Sequence, residues 1–99
     1  MTDDQKRIQD IGHELVATLL RKNTDYGSSA FDAPCLIPKM DPGAAILVRM
    51  SDKIARIRRL MDHAAETDEP LDDSVRDLAG YCILYLTHRA RSTHETKRV

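Results

Sequence analysis

Three groups of residues have side chains whose type and spacing suit recognition of a small charged molecule. The first is Arg49, Lys53 and Arg56, at i, i+4 and i+7, a spacing that shares one side of a helix. Arginine presents a planar fork to phosphate oxygens and lysine a point charge, so the row reads as a set of phosphate donors. It reads equally as a snorkelling lysine on the edge of a buried face, its stem packed and its ammonium in water. Arg58 and Arg59 project elsewhere and read as surface residues. The second group is Asp73, Asp77 and Tyr81, at i, i+4 and i+8. Two carboxylates one helical turn apart can share Mg²⁺, which takes oxygen ligands and keeps several waters. The other reading makes Asp73 a helix cap and pairs Asp77 with Arg76 or a neighbour. Tyr81 suits either stacking on a base or filling an oligomer interface. The third group crowds into residues 22–29: Lys22, Asn23, Asp25, Tyr26, Gly27 and Ser28. Asn, Asp and Gly explain a turn by themselves, while their polar groups and the Tyr26 phenol also suit a sugar or a base edge. The four histidines show no ligand spacing, and none has an identifiable Ser or Cys partner, so nucleophilic catalysis finds no support.

Those groups need elements to hold them. A first helix is expected over residues 3–22, opened by a capping box at Thr2 and Gln5, with Ile8, Ile11, Leu15 and Leu19 on one face. Gly12 weakens that helix by about 1 kcal/mol relative to alanine and suggests a close helix approach. Residues 23–41 contain Gly27, Pro34 and Pro38 and read as a long ordered loop, with Tyr26, Phe31, Leu36, Ile37 and Met40 available to pack. A second helix is expected over 42–64, with Asp41 as cap and Pro42 in the first turn. Its stripe is Ile46, Met50, Ile54, Ile57 and Met61. Residues 66–72 read as a polar turn around Pro70. A third helix is expected over 73–89, with Val75, Leu78, Ala79, Cys82, Ile83 and Leu86 inward, and a polar flexible tail over 90–99. The fold class is all-α: one helical bundle of three main helices.

Composition sets the boundaries. With 99 residues, no Trp and one Phe, the core is modest, and self-association into a homo-oligomer is expected. The balance of 15 Lys+Arg against 16 Asp+Glu argues against general nucleic-acid binding. It is uneven, however: residues 49–59 are basic and residues 62–77 acidic, a pattern that suits either an anion site beside a metal or partner site, or two solvated helix faces. A polar N-terminus and the absence of a long apolar run give no signal peptide and no membrane partner. Two cysteines without a CxxC motif give no zinc signal and fit a cytoplasmic chain with reduced thiols.

The segments RKNTDYGSS (21–29), LVRMSDKIARI (47–57) and DDSVRDLAGY (72–81), in that order and spacing, resemble the nucleotide-modification-associated domain of type 1. That phage-type family is similar to the all-helical MazG-like nucleotide pyrophosphatases. The resemblance runs from about residue 11 to residue 86. It implies a ligand site built from Lys22, Asn23, Asp25, Tyr26 and Gly27, from Arg49, Asp52, Lys53 and Arg56, and from Asp73, Asp77 and Tyr81. Ser28 belongs to the same loop. MazG-like enzymes hold Mg²⁺ with a Glu-Glu-x-x-Glu stretch and a Glu-x-x-Asp pair. This chain has no Glu-Glu-x-x-Glu, and Asp73 and Asp77 are four apart. The first expectation is therefore a protein that binds a phosphorylated or cyclic nucleotide, as a phage anti-defence sponge would, without turnover. The alternatives are a Mg²⁺-dependent nucleoside triphosphate pyrophosphatase using Asp52, Asp73 and Asp77, and a structural or partner-binding oligomer.

Overall fold

The Thr2 hydroxyl accepts the Gln5 N–H at 3.1 Å while the Thr2 N–H donates to Gln5 Oε1 at 2.9 Å. This reciprocal cap opens the first helix in a computed structural model that describes residues 1–63 and 69–98, with side chains through Arg91. Helix α1 (Asp3–Tyr26) runs one turn beyond the expected end at residue 22. Asn, Thr and Asp are weak helix formers, but none of them stops a helix. Here Thr24 Oγ1 donates to Leu20 O at 3.0 Å, and Asn23 Nδ2 donates to Gly27 O at 3.1 Å. The helix stops at Gly27, with φ 66 and ψ −156, a conformation that glycine reaches without steric cost. Open space surrounds the position a Cβ would take there. The cost of a side chain at that position is therefore backbone strain alone. Gly27→Ala is expected to lower stability by about 1–3 kcal/mol, read as a lower urea midpoint at an unchanged m-value.

The connection to the next helix is ordered by local turns and one aromatic clip. It holds a 3-10 turn (Ser29–Phe31), and the Ile37 and Met40 N–H groups donate to Pro34 O and Ile37 O, each at 3.0 Å. The Phe31 ring lies nearly parallel to His88, with centroids 6.3 Å apart, and the Arg91 guanidinium carbon sits 4.7 Å from the Phe31 centroid. That stack ties the connection to the third helix. Phe31 and Met40 are half-buried as expected, whereas Tyr26, Leu36 and Ile37 remain exposed.

Helix α2 (Pro42–Asp62) starts where Asp41 and Pro42 predict, with Asp41 Oδ2 accepting the Ala44 N–H at 2.9 Å. Its described end is capped by the His63 N–H on Arg59 O at 3.1 Å. Ala64 and residues 66–68 of the expected turn lie outside the described residues. Helix α3 (Glu69–Arg98) begins four residues before the expected start. Pro70 does not break it, because proline lacks only an N–H that a first turn leaves unpaired in any case. Glu69 and Asp72 in that turn also suit the helix dipole. At the other end, the expected tail is helical through Arg98. Residues 90–98 contain neither Gly nor Pro and so carry no stop signal.

The architecture is all-α, with three main helices and no strand among the described residues. Helices α2 and α3 pack antiparallel: Gly43 lies against His88, Lys53 against Asp77, and Arg56 against Ser74. The buried positions sit on this pair, at Gly43, Ala45, Ile46, Ser74 and Gly80. The α2 residues turned inward are Ile46, Met50, Lys53, Ile57 and Leu60, while Ile54 and Met61 of the expected stripe are exposed. On α3, Leu78, Ala79, Cys82 and Ile83 are half-buried as expected, but Val75 and Leu86 are exposed. Helix α1 meets α3 where Leu19 approaches Gly80: a Cβ on Gly80 would lie 3.3 Å from Leu19 Cδ2. Farther toward its N-terminus, Ile8 and Ile11 of the expected α1 core face are exposed.

Candidate functional site

The antiparallel register brings the middle of α2 alongside the first turns of α3. Lys53, at an inward position of α2, carries its ammonium to within 3.1 Å of Asp77 Oδ2. One turn on, Arg56 Nε donates to Ser74 Oγ at 3.1 Å, and that hydroxyl donates to Pro70 O at 2.8 Å. Ser74 is only 2% exposed, and its hydroxyl both accepts and donates within the fold. It fixes the guanidinium relative to α3.

Two open cavities of about 460 Å³ each flank these two bases. One is lined by Lys53, Arg56, Glu69, Pro70, Asp73, Ser74 and Asp77. The other is lined by Asp52, Lys53, Ala55, Arg56, Arg59 and Leu60. Their volumes fall in the range of small-molecule sites, roughly 300–1,000 Å³. Lys53 and Arg56 line both, so the two cavities adjoin at these side chains and together make up the cleft, with an α2 half and an α3 half. The α2 half is rich in cations and the α3 half in carboxylates. Such a cleft suits a ligand with an anionic end and a hydroxyl-rich end. Phosphate oxygens match the Lys53, Arg56 and Arg59 donors, and sugar hydroxyls match the carboxylate acceptors of Glu69 and Asp73.

The expected site residues divide. Lys53, Arg56, Asp52, Asp73 and Asp77 line the cleft. Arg49, exposed on α2, and Tyr81, half-buried on α3, line neither half. Lys22, Asn23, Asp25, Tyr26, Gly27 and Ser28 also line neither, and all six are exposed around the end of α1. Arg59, read from the sequence as a surface residue projecting elsewhere, does line the cleft. Glu69 was missed because taking Pro70 for a turn hid the first turn of α3; Glu69-Pro70 itself, an acid followed by proline, is the signal that could have found it, since it suits a helix start. Ser74 lay inside the expected helix, but a buried hydroxyl leaves no periodic mark.

The carboxylates do not gather as a cation clamp. Among the described residues no group of three or more His, Cys, Asp or Glu side chains lies close enough to hold a metal ion. Asp77 is engaged by Lys53, Asp73 faces Arg76 at 3.5 Å, and Asp52 lines the opposite half from both. Asp52, Asp73 and Asp77 are thus not brought together at one point among the described residues. Set beside known proteins, the chain matches no family model, no curated protein and no solved structure.

Proposed function

We propose that this chain binds a phosphorylated nucleotide, or a nucleotide-derived signal, in the cleft between α2 and α3 and holds it without turnover. The observation that carries the reading is the division of one cleft into a basic half (Lys53, Arg56 and Arg59) and an acidic half (Glu69, Asp73 and Asp77). A nucleotide has that same division, with phosphates at one end and hydroxyl and amino donors at the other. The buried Ser74 hydroxyl presets Arg56 before any ligand arrives, which lowers the ordering cost of binding. The resemblance to nucleotide-handling phage domains points the same way by analogy. Binding is favoured over hydrolysis because Asp77, the acid closest to the bases, already neutralises Lys53.

Calorimetric titration with mono-, tri- and cyclic nucleotides, in the presence and absence of Mg²⁺, tests this. Saturable binding of at least one phosphorylated member, with no release of pyrophosphate over hours, is the expected result. Release of pyrophosphate that depends on Asp77 would replace this reading with the pyrophosphatase one. No binding and no turnover across the panel would remove both.

A further inference from the structure

The charges that line the cleft between α2 and α3 limit how many phosphates it can hold. Its bases are Lys53, Arg56 and Arg59, all on α2. Its carboxylates are Asp52 on the α2 side and Glu69, Asp73 and Asp77 on the α3 side. A site built only to gather phosphate charge would carry an excess of cations. Here carboxylates outnumber cations by four to three.

Contacts within the chain narrow the set that is open to a ligand. Lys53 is engaged by Asp77 at 3.1 Å, and Asp73 faces Arg76 at 3.5 Å. Arg56 gives its Nε–H to Ser74 Oγ, which leaves its terminal N–H donors for a ligand. Arg59, Asp52 and Glu69 make no side-chain hydrogen bond or ion pair with another described residue. Two guanidiniums and two carboxylates therefore remain. Arg56 and Arg59 are three apart on one helix, with Cβ atoms about 5–6 Å from each other, so their forks can converge on one phosphate. A terminal phosphate carries about two negative charges at pH 7, which these two cations balance. Each further phosphate adds a charge that meets no open cation. It meets instead the exposed carboxylates of Asp52 and Glu69. With a monophosphate those carboxylates have a favourable role, since they accept the hydroxyl or amino donors of the nucleoside.

We infer that the cleft selects a nucleotide with a single phosphate, held between Arg56 and Arg59, and that Asp52 and Glu69 turn away triphosphates by charge repulsion. This rests on the nucleotide reading of the same cleft and adds the phosphate number to it. The resulting order of affinities is the reverse of that at a plainly basic site, where each added phosphate tightens binding. Discrimination comes from an unfavourable element set against the wrong ligand as well as from the arginine pair that favours the right one.

Calorimetric titration of the full chain with adenosine and guanosine mono-, di- and triphosphates tests it, at low salt and in EDTA so that no divalent cation bridges the phosphates. The monophosphate is expected to bind about tenfold tighter than the triphosphate of the same base, the size set by two added charges roughly 7 Å from a carboxylate in an open, watery cleft. Asp52→Asn/Glu69→Gln is neutral and isosteric at two exposed positions. It should reverse the order, through a gain of about tenfold or more in triphosphate affinity. Arg59→Gln should weaken monophosphate binding about tenfold, the loss of one charge-assisted contact. A wild-type chain that binds the triphosphate tightest overturns the inference and leaves the nucleotide reading standing. No binding by any member removes both. An unchanged order in a double variant with wild-type helical circular dichroism overturns the role of the two carboxylates. If that variant loses helicity, a salt series on the wild-type chain decides: the gap between mono- and triphosphate should close as salt screens the repulsion, and a gap that salt leaves unchanged overturns the charge filter.

Discussion

Ile46→Ala is expected to lower stability by about 2–5 kcal/mol, the range for emptying a fully buried aliphatic site. Ile46 is 1% exposed, and with Ala45 it makes up the buried apolar core among the described residues. A domain of this size has about 5–15 kcal/mol in total and sits toward the lower end. At about 4–8 °C per kcal/mol, the melting temperature should drop by roughly 8–40 °C, and partial unfolding at ambient temperature is within that range. Circular dichroism melts at one fixed protein concentration measure it, since association would otherwise shift the midpoint. The control is Ile54→Ala, eight residues along the same helix. Ile54 is exposed, so its loss should cost less than about 1 kcal/mol. Equal effects at the two positions would mean that the seam of α2 is not where the register puts it.

That contrast also shows where the sequence was legible. Three helices, the Thr2 and Asp41 caps and an ordered connection were all readable, because they rest on local chemistry that needs no partner. The buried side of α2 was read one residue off in places. A straight 3.6-residue wheel favours Ile54 and Met61, whereas the packed positions are Ile46, Met50, Lys53, Ile57 and Leu60. That spacing averages 3.5 residues per turn, the period of a helix wound along a neighbour. It admits Lys53 to the seam because Asp77 stands across from it, and that partner is invisible from α2 alone. Pro70 and residues 23–26 misled in the same way. Their types favour turns on average, but a proline in a first turn costs a helix nothing and weak formers do not end one. The basic row and the Asp73–Asp77 pair were legible as site candidates. Their junction into one cleft through Ser74 was not, because a buried hydroxyl serving as a fixed acceptor leaves no periodic mark. The segment around Asn23 and Tyr26, which the resemblance assigns to the same ligand site, lines neither half of that cleft.

The largest functional effects are expected at Arg56 and Asp77, and their signs differ. Arg56→Ala should weaken nucleotide binding by roughly ten- to hundredfold, since a hydrogen bond to a charged partner is worth about 1.5–3 kcal/mol and about 1.4 kcal/mol is tenfold. The fold should tolerate it: Arg56 is exposed, and Ser74 Oγ keeps its bond to Pro70 O. Arg56→Lys should recover only part of the loss, because an ammonium keeps the charge without the planar fork. Asp77→Asn removes a carboxylate 3.1 Å from the Lys53 ammonium. A half-exposed ion pair of this kind contributes at most about 1 kcal/mol to stability, so the protein should remain folded. Its removal frees Lys53 for phosphate and withdraws a negative charge from the cleft. Affinity for a phosphorylated ligand should therefore rise several-fold at low salt, and the gain should shrink as salt screens the cleft. If the carboxylate instead served hydrolysis, the same substitution would abolish pyrophosphate release. Calorimetric titration of Asp77→Asn at two salt concentrations, beside a pyrophosphate assay of both proteins, separates a residue that restrains binding from one that drives turnover.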